Sequence, residues 1–307
     1  MSPDPVNILE EGPRQTPVVD NPDVLVVGGG SAGLAAAVAA ARCGANTVLL
    51  ERYGYLGGLA TGGMVILLLS LDDGNGTQVI AGLCQELVDR LEQRNAAVFP
   101  KAGEWGSDDP ALIDHYRKWG LIWGGVPDRV RYSVAYEPGE FKFIGDQMVA
   151  EAGVRLRLHS WATDLVLDGN RISHVICQSK SGRQAIQPKV VIDATGDGDL
   201  LPWAGLPFEA AKVHPYRWYR MANVEAPDEA IEASAGKFFP TLGGRFFNTP
   251  GANRTLMPWG MSDHIDRRID PTSVEDLTYA EVESRRLMMQ QIDKLRGEVP
   301  GFANAYL

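Results

Sequence analysis

The sequence predicts an α/β fold built on a parallel β-sheet, joined to a smaller α+β region. Three observations predict it. Residues 23–27, 31–43 and 47–50 read as strand, helix and strand within a short span, the tight βαβ unit whose strands lie side by side and parallel. The turn from the first strand to the helix is Gly28-Gly29-Gly30-Ser31-Ala32-Gly33. Far along the chain, residues 190–194 form another apolar strand, which runs into Thr195-Gly196-Asp197-Gly198-Asp199.

The chain has 307 residues, enough for two domains. Hydrophobic residues are 45% and charged residues 22%, which excludes disorder, collagen and coiled coil for the whole chain. The 29 Lys and Arg against 39 Asp and Glu leave a net charge of −10, so nucleic acid and anionic membrane are not expected partners. Cys43, Cys84 and Cys177 are widely spaced and form no CxxC pair, which points away from a zinc ribbon and toward a reducing compartment. Residues 1–20 carry four prolines and no signal-peptide pattern. The longest apolar run, residues 64–69, is far short of the roughly 18 residues of a membrane helix. A soluble cytoplasmic protein with a flexible leader over residues 1–21 is expected.

After the βαβ unit, Asp72-Asp73-Gly74-Asn75-Gly76 marks a turn. Val79, Ile80, Leu83, Cys84, Leu87, Val88 and Leu91 then fall at helical spacing. Residues 96–133 read as irregular and hold Trp105, Trp119 and Trp123. A helix is expected at 141–152, and a three-stranded meander at 155–158, 163–167 and 172–178. From Pro207 the texture changes to more aromatics, Pro and Gly. Thr278-x-x-Glu281 reads as a capping box opening a helix to about Arg296, with Val282, Leu287, Met288 and Ile292 toward the core. Gly297 and Pro300 stop it.

The glycine turn fits the dinucleotide fingerprint G-x-G-x-x-G, and its surroundings fit too. Gly28 permits the tight turn, Gly30 lets the backbone approach a pyrophosphate, and Gly33 allows close helix–strand packing. The helix N-terminus faces the phosphates with free N–H groups and the positive end of its dipole. Ala37 and Gly44 are small where helix and strand cross. Glu51 ends the second strand eighteen residues beyond Gly33, near the expected spacing of about 20, and can accept from a ribose diol. The fingerprint alone does not separate FAD from NAD. A second glycine-rich loop, Gly57-Gly58-Leu59-Ala60-Thr61-Gly62-Gly63, is unnecessary for NAD and suits a longer, extended cofactor.

Three segments together, residues 23–51, 57–63 and 190–199, resemble the FAD-dependent oxidoreductases with the glutathione-reductase-type fold. The match is nearest to the bacterial family with a GGLAT-type loop and a DATGDGD strand end, and it covers roughly residues 22–307. The resemblance implies noncovalent FAD and redox chemistry at the flavin. By position it places Gly28, Gly30, Ser31, Ala32 and Gly33 around the pyrophosphate, and Glu51 and Arg52 at the adenosine ribose. Gly57, Gly58, Ala60 and Thr61 would line pyrophosphate and ribityl, and Ala162 would meet adenine through its backbone. Ala194, Thr195, Gly196 and Asp197 would pass beside the cofactor, with Asp199 close by. Read instead as a calcium loop starting at Asp193, the same run has Ala204 where position twelve needs a bidentate Glu, so no metal site is expected there.

Members of that family run on beyond the length of this chain. The resemblance therefore implies either a fragment or a partner, a second subunit that completes the FAD domain or another copy of the chain. Residues 302–307 read as an unpaired strand, which is an aggregation liability.

The candidates for chemistry lie after Pro207. His214 has an imidazole suited to general-base work on an alcohol or amine, and Arg217 or Arg220 is suited to holding a carboxylate. As a strand, this segment would put Tyr216, Trp218 and Arg220 on one face. His115, Tyr116, Trp119 and Trp123 could stack on a ring substrate or simply pack a loop. His115, His159, His174 and His264 have no partner at metal-ligand spacing. No G-x-S-x-G elbow and no P-loop lysine is present, so hydrolase and NTPase readings fail. The expected domains are residues 22–70 with 135–206 for FAD, an insertion at 71–134, and a substrate region at 207–307. The expected reaction is hydride transfer from a small organic substrate to flavin. An NAD-dependent dehydrogenase and a non-catalytic FAD-binding subunit are the alternatives.

Overall fold

Four short strands, three of them apolar, build the parallel sheet of the first unit. The computed structural model describes residue 9 and residues 11–122, 128–234, 246–258, 265 and 267–307. Val24–Val27, Thr47–Leu50, Arg155–Arg157 and Val190–Asp193 form one parallel sheet, with Val24–Val27 and Thr47–Leu50 at its centre. Leu25, Val26, Val48 and Leu49 are fully buried, as parallel strands covered on both faces require. The helix Ser31–Arg42 packs on the two central strands, and its alanines let it come close.

A second, four-stranded sheet lies in the same unit. Trp161–Asp168, Arg171–Ser179 and Gly182–Ile186 are its antiparallel meander, and Val18–Asp20 pairs parallel to Gly182–Ile186. The meander exists, but its members differ from expectation. Residues 155–157 join the parallel sheet, and Gly182–Ile186 takes the vacated place. The leader also ends earlier than residue 21. Asp20 accepts both Nη1 bonds from Arg155 at 2.8 Å, and Arg155 Nη2 reaches Asn46, so an ion pair holds the first strand. Leu25, Val27, Val175, Cys177 and Ile186 share one core cluster.

By its internal contacts the chain divides into Met1–Leu56, Asp146–Lys212 and Asp270–Leu277 on one hand, and Gly57–Gly145, Val213–Ile269 and Thr278–Leu307 on the other. The second glycine loop falls in the second unit. Residues 71–134 and most of residues 207–307 fall in that unit too.

That second unit has two three-stranded antiparallel sheets. Val134–Tyr136 sits between Leu67–Leu68 and Ala97–Val98, and Arg254–Met257 sits between Tyr219–Ala222 and Phe247–Asn248. Its main core joins Met221, Phe246, Met257, Ile292, Leu295 and Phe302. A smaller cluster forms around Tyr132, on which Trp105 stacks at 4.2 Å.

Two helices start elsewhere than expected, and one was not expected. Val79 and Ile80 lie outside their helix, Leu83–Gln93, because Gly82 has φ +61° and their N–H groups bond the Leu71 carbonyl. Pro110–Lys118 is a helix inside the stretch expected to be irregular. The last helix is Val274–Glu298, opened by Ser273 Oγ accepting from Asp276 N–H at 3.2 Å. Thr278 is therefore inside it, and Val282 is 60% exposed. Residues 302–307 are not a strand in mid-course: Phe302 and Ala305 are buried, and Tyr306 makes a single bridge to Ala222. Trp123 and His264 lie outside the described residues. Among the described residues no helix is long and apolar enough to cross a membrane.

Candidate functional site

The parallel pairing brings the ends of three strands, at Val27, Leu50 and Asp193, to one edge of the sheet. Gly28 leaves its strand with φ +101° and donates its N–H to Leu50 O at 2.8 Å. A Cβ on Gly28 would strike the Ala194 carbonyl, and a Cβ on Gly33 would strike the Gly28 carbonyl. Helix, turn and neighbouring strand therefore cross without space for a methyl group. Gly30 is the opposite case. Its backbone is extended, at φ −64° and ψ −176°, and a Cβ there would enter open space. Gly30 is also the N-cap of Ser31–Arg42, and no side chain caps that helix. The first turn of the helix thus has no side-chain cap, and Ser31 and Ala32 at its start are exposed.

Glu51 is only 6% exposed. Its Oε2 accepts the Gly29 N–H at 2.6 Å and its Oε1 accepts the Tyr53 N–H at 2.7 Å. Each carboxylate oxygen has a further acceptor site, so the same group can meet a diol. Sequence reasoning assigned Glu51 the diol and missed the brace across the glycine turn. Glu51→Ala should leave both N–H groups without acceptors and destabilise the protein by about 3 kcal/mol. Urea unfolding of the cofactor-free protein measures this, and an unchanged midpoint would refute the brace.

The strand end beyond Asp193 is organised by that aspartate. Asp193 Oδ1 accepts from the Thr195 N–H and hydroxyl at 3.0 and 2.8 Å, and Oδ2 accepts from the Leu200 N–H at 3.1 Å. Thr195 Oγ1 in turn accepts from the Asp199 N–H at 3.0 Å. The run is a turn built on that aspartate. The D-x-T pattern, an Asx turn, was the available signal. Gly196 has φ +88° and open space at its Cβ position. Burial, with Asp197 adding to it, holds the Asp199 carboxyl above the usual aspartate range. Asp197 itself is exposed, 3.8 Å from Arg52.

A cleft joins these parts. Gly28, Glu51, Arg52, Thr195 and Asp199 line it together with Ser160, Trp161 and Ala162. Ala162 is buried, and Trp161 is 57% exposed. The wall stands there because the Ser160 N–H bonds Glu51 O at 2.9 Å and the His159 N–H bonds Tyr53 O at 3.1 Å. Trp161 and Ser160 were not assigned from sequence. Ala194 is half-buried and extends the strand pairing through its N–H to Val27 O.

The second glycine loop is a short helical turn, Gly58–Ala60, after Gly57 at φ +102°. Ala60 and Thr61 are buried, and Leu59 is 74% exposed. Tyr136 Oη donates to Ala60 O at 2.8 Å and lies 3.0 Å from Val65 O, which fixes the loop from behind. Burial pushes the Tyr136 phenol far above its ordinary range, so it stays a neutral donor. Elsewhere in this unit, His214 is exposed, beside the Val213–Ile269 bridge. Arg220 is half-buried and engaged by both oxygens of Glu137, at 2.7 and 3.1 Å. Tyr216 is exposed while Trp218 is nearly buried, so they do not share a face with Arg220 in the way a strand would give; the strand begins at Tyr219. Tyr116 is buried with its hydroxyl on Glu104 at 2.7 Å, which makes it a packing residue.

Parallel sheet, glycine turn, uncapped helix and acidic strand end define a nucleotide-binding α/β protein. The profile of the FAD dependent oxidoreductase family matches residues 23–307, and the chain belongs to that family. Its cofactor is FAD, and the NAD-dependent alternative falls with that match. No curated protein matches the chain's sequence. Among solved structures it resembles a geranylgeranyl bacteriochlorophyll reductase-like protein of Thermoplasma acidophilum, with TM-score 0.54 and 19% identity over 94% of this chain and 64% of that one. It also resembles the p-nitrophenol 4-monooxygenase of Pseudomonas putida, with TM-score 0.53 and 14% identity over 94% and 66%. The L-amino acid deaminase of Proteus vulgaris gives TM-score 0.54 and 16% identity over 97% and 84%. At these identities the likeness is one of fold. The chain spans less than two thirds of the length of the first two.

The first unit fits the adenosine diphosphate half of FAD. Gly30 leaves room where a pyrophosphate would approach, the helix end above it is uncapped, and Glu51 has acceptor capacity to spare.

Proposed function

We propose that the protein oxidises a small organic molecule by passing a hydride to bound FAD. The observation that carries this reading is the contrast within the glycine turn. Two glycines are required by packing, while Gly30 is required by nothing in the protein and opens onto an uncapped helix end. In this reading the N–H groups around Gly28, Gly30, Ser31, Ala32 and Gly33 hold the pyrophosphate. Glu51 holds the ribose hydroxyls, and Arg52 and Ala162 flank the adenosine. Ala194, Thr195, Gly196 and Asp197 border the cofactor, and Gly57, Gly58, Ala60 and Thr61 meet its far half through backbone. FAD, once bound, supplies the two-electron acceptor. The protein's own part is to place the substrate and take its proton, for which the exposed His214 imidazole is our candidate base. Arg220, already held by Glu137, is a positioning group rather than a free carboxylate clamp. That the resembled monooxygenase and deaminase are named for p-nitrophenol and L-amino acids supports a small organic substrate.

The test is the visible spectrum of the purified chain before and after adding FAD and desalting, with acid release of any bound nucleotide. Flavin bands that persist, and FAD in the extract, are expected. A folded chain that stays colourless with added FAD would overturn the reading. Anaerobic mixing with small alcohols and amines then tests the hydride step by bleaching of the flavin bands.

A further inference from the structure

We propose that the second unit carries a binding site for a small amino carboxylate, anchored by Arg254. The site is a cavity of about 320 Å3 between the end of Pro110–Lys118, the start of Pro227–Ser234 and the turn before Arg254–Met257. That volume suits a small molecule.

Arg254 is held in place from two sides. Its Nη1 lies 3.2 Å from Glu137 Oε2, and Glu137 is itself clamped by Arg220. Gly251, at φ +99°, leaves the space the guanidinium fills, since a Cβ there would sit 2.9 Å from Nη1. Glu137 takes only Nη1. The Nε and Nη2 donors have no partner among the described residues, and these two form the side-on fork that matches a carboxylate.

The rest of the cavity has the opposite sign. Asp228 and Glu229 line it at the helix start. Asn248, 7% exposed, donates to Asp228 Oδ1 at 2.6 Å and so fixes that carboxylate. Trp119, half-buried, supplies an apolar wall. One cation and two anions around one small space complement a zwitterion: the carboxylate on Arg254, the ammonium toward Asp228 and Glu229, and the carbon skeleton along Trp119. The site stands on its own residues and is independent of the FAD reading.

The test is thermal unfolding and calorimetric titration of the full chain with the common amino acids at millimolar concentration. Each is paired with its amide and its deaminated carboxylate. Amino carboxylates should bind, and their amides should bind about tenfold more weakly or less. Arg254→Gln should abolish binding. Asp228→Asn, which keeps the Asn248 contact possible, should weaken the amino acid but not the deaminated carboxylate. Equal binding of acid and amide, unchanged binding in either variant, or no binding by any amino carboxylate would overturn the proposal.

Discussion

Replacing Gly30 by valine is expected to leave the cofactor-free protein folded and nearly as stable as the parent while removing its hold on FAD. Valine adopts the extended backbone that Gly30 already has, and its Cβ meets nothing within 4 Å. Valine is a poorer helix N-cap than glycine, so a loss of no more than about 1 kcal/mol is expected. The same branched side chain would occupy the space where a pyrophosphate must approach the backbone. FAD affinity should fall by about 100-fold or more, near 3 kcal/mol. Urea unfolding and equilibrium dialysis against FAD check the two halves separately. Retained FAD affinity in a folded Gly30→Val protein would remove this turn from the cofactor site.

Gly33→Ala should do the reverse. Helix propensity alone favours the change by about 1 kcal/mol, because alanine loses less backbone entropy than glycine. Packing decides otherwise. The new Cβ would run into the Gly28 carbonyl and lie 3.3 Å from the Ala194 Cβ, with rigid backbone on one side. The helix must move off the strand, at a cost of about 3 kcal/mol. A lowered urea midpoint in the absence of any cofactor measures this, and an unchanged or raised midpoint would refute the close crossing. Together the two variants separate the glycine that folds the turn from the glycine that keeps it open.

The parts legible in the sequence were those set by local rules. Val24–Val27, Ser31–Arg42 and Thr47–Leu50 appeared almost residue for residue, because apolar runs and a glycine turn of fixed spacing leave few alternatives. The family match, over residues 23–307, covers nearly the whole span over which the resemblance was read. What escaped depended on partners distant in sequence. Arg155–Arg157 looked like the first strand of a meander, and only its pairing with Thr47–Leu50 puts it in the parallel sheet. The strand at Gly182–Ile186 opens on Gly-Arg-Gln and has no apolar alternation until Ala185, so pairing with Arg171–Ser179 decides it. Pro110–Lys118 was legible and overlooked: Asp109 caps Ala111 N–H at 2.9 Å, with Pro110 at the first helical position. The brace from Glu51 to Gly29 could not be read from spacing, because a carboxylate at a strand end gives no sign of how many groups it serves.

The strand Val18–Asp20 has a practical meaning for anyone handling the protein. It shields the outer side of Gly182–Ile186, and Arg155 staples it there. Cutting the polypeptide just after residue 20 would bare that row of backbone donors and acceptors, ready to recruit a strand from another molecule. Solubility in the test tube would then hinge on three residues remote from any chemistry. Where a purification tag is joined, and where a protease trims it, becomes a choice about the sheet itself.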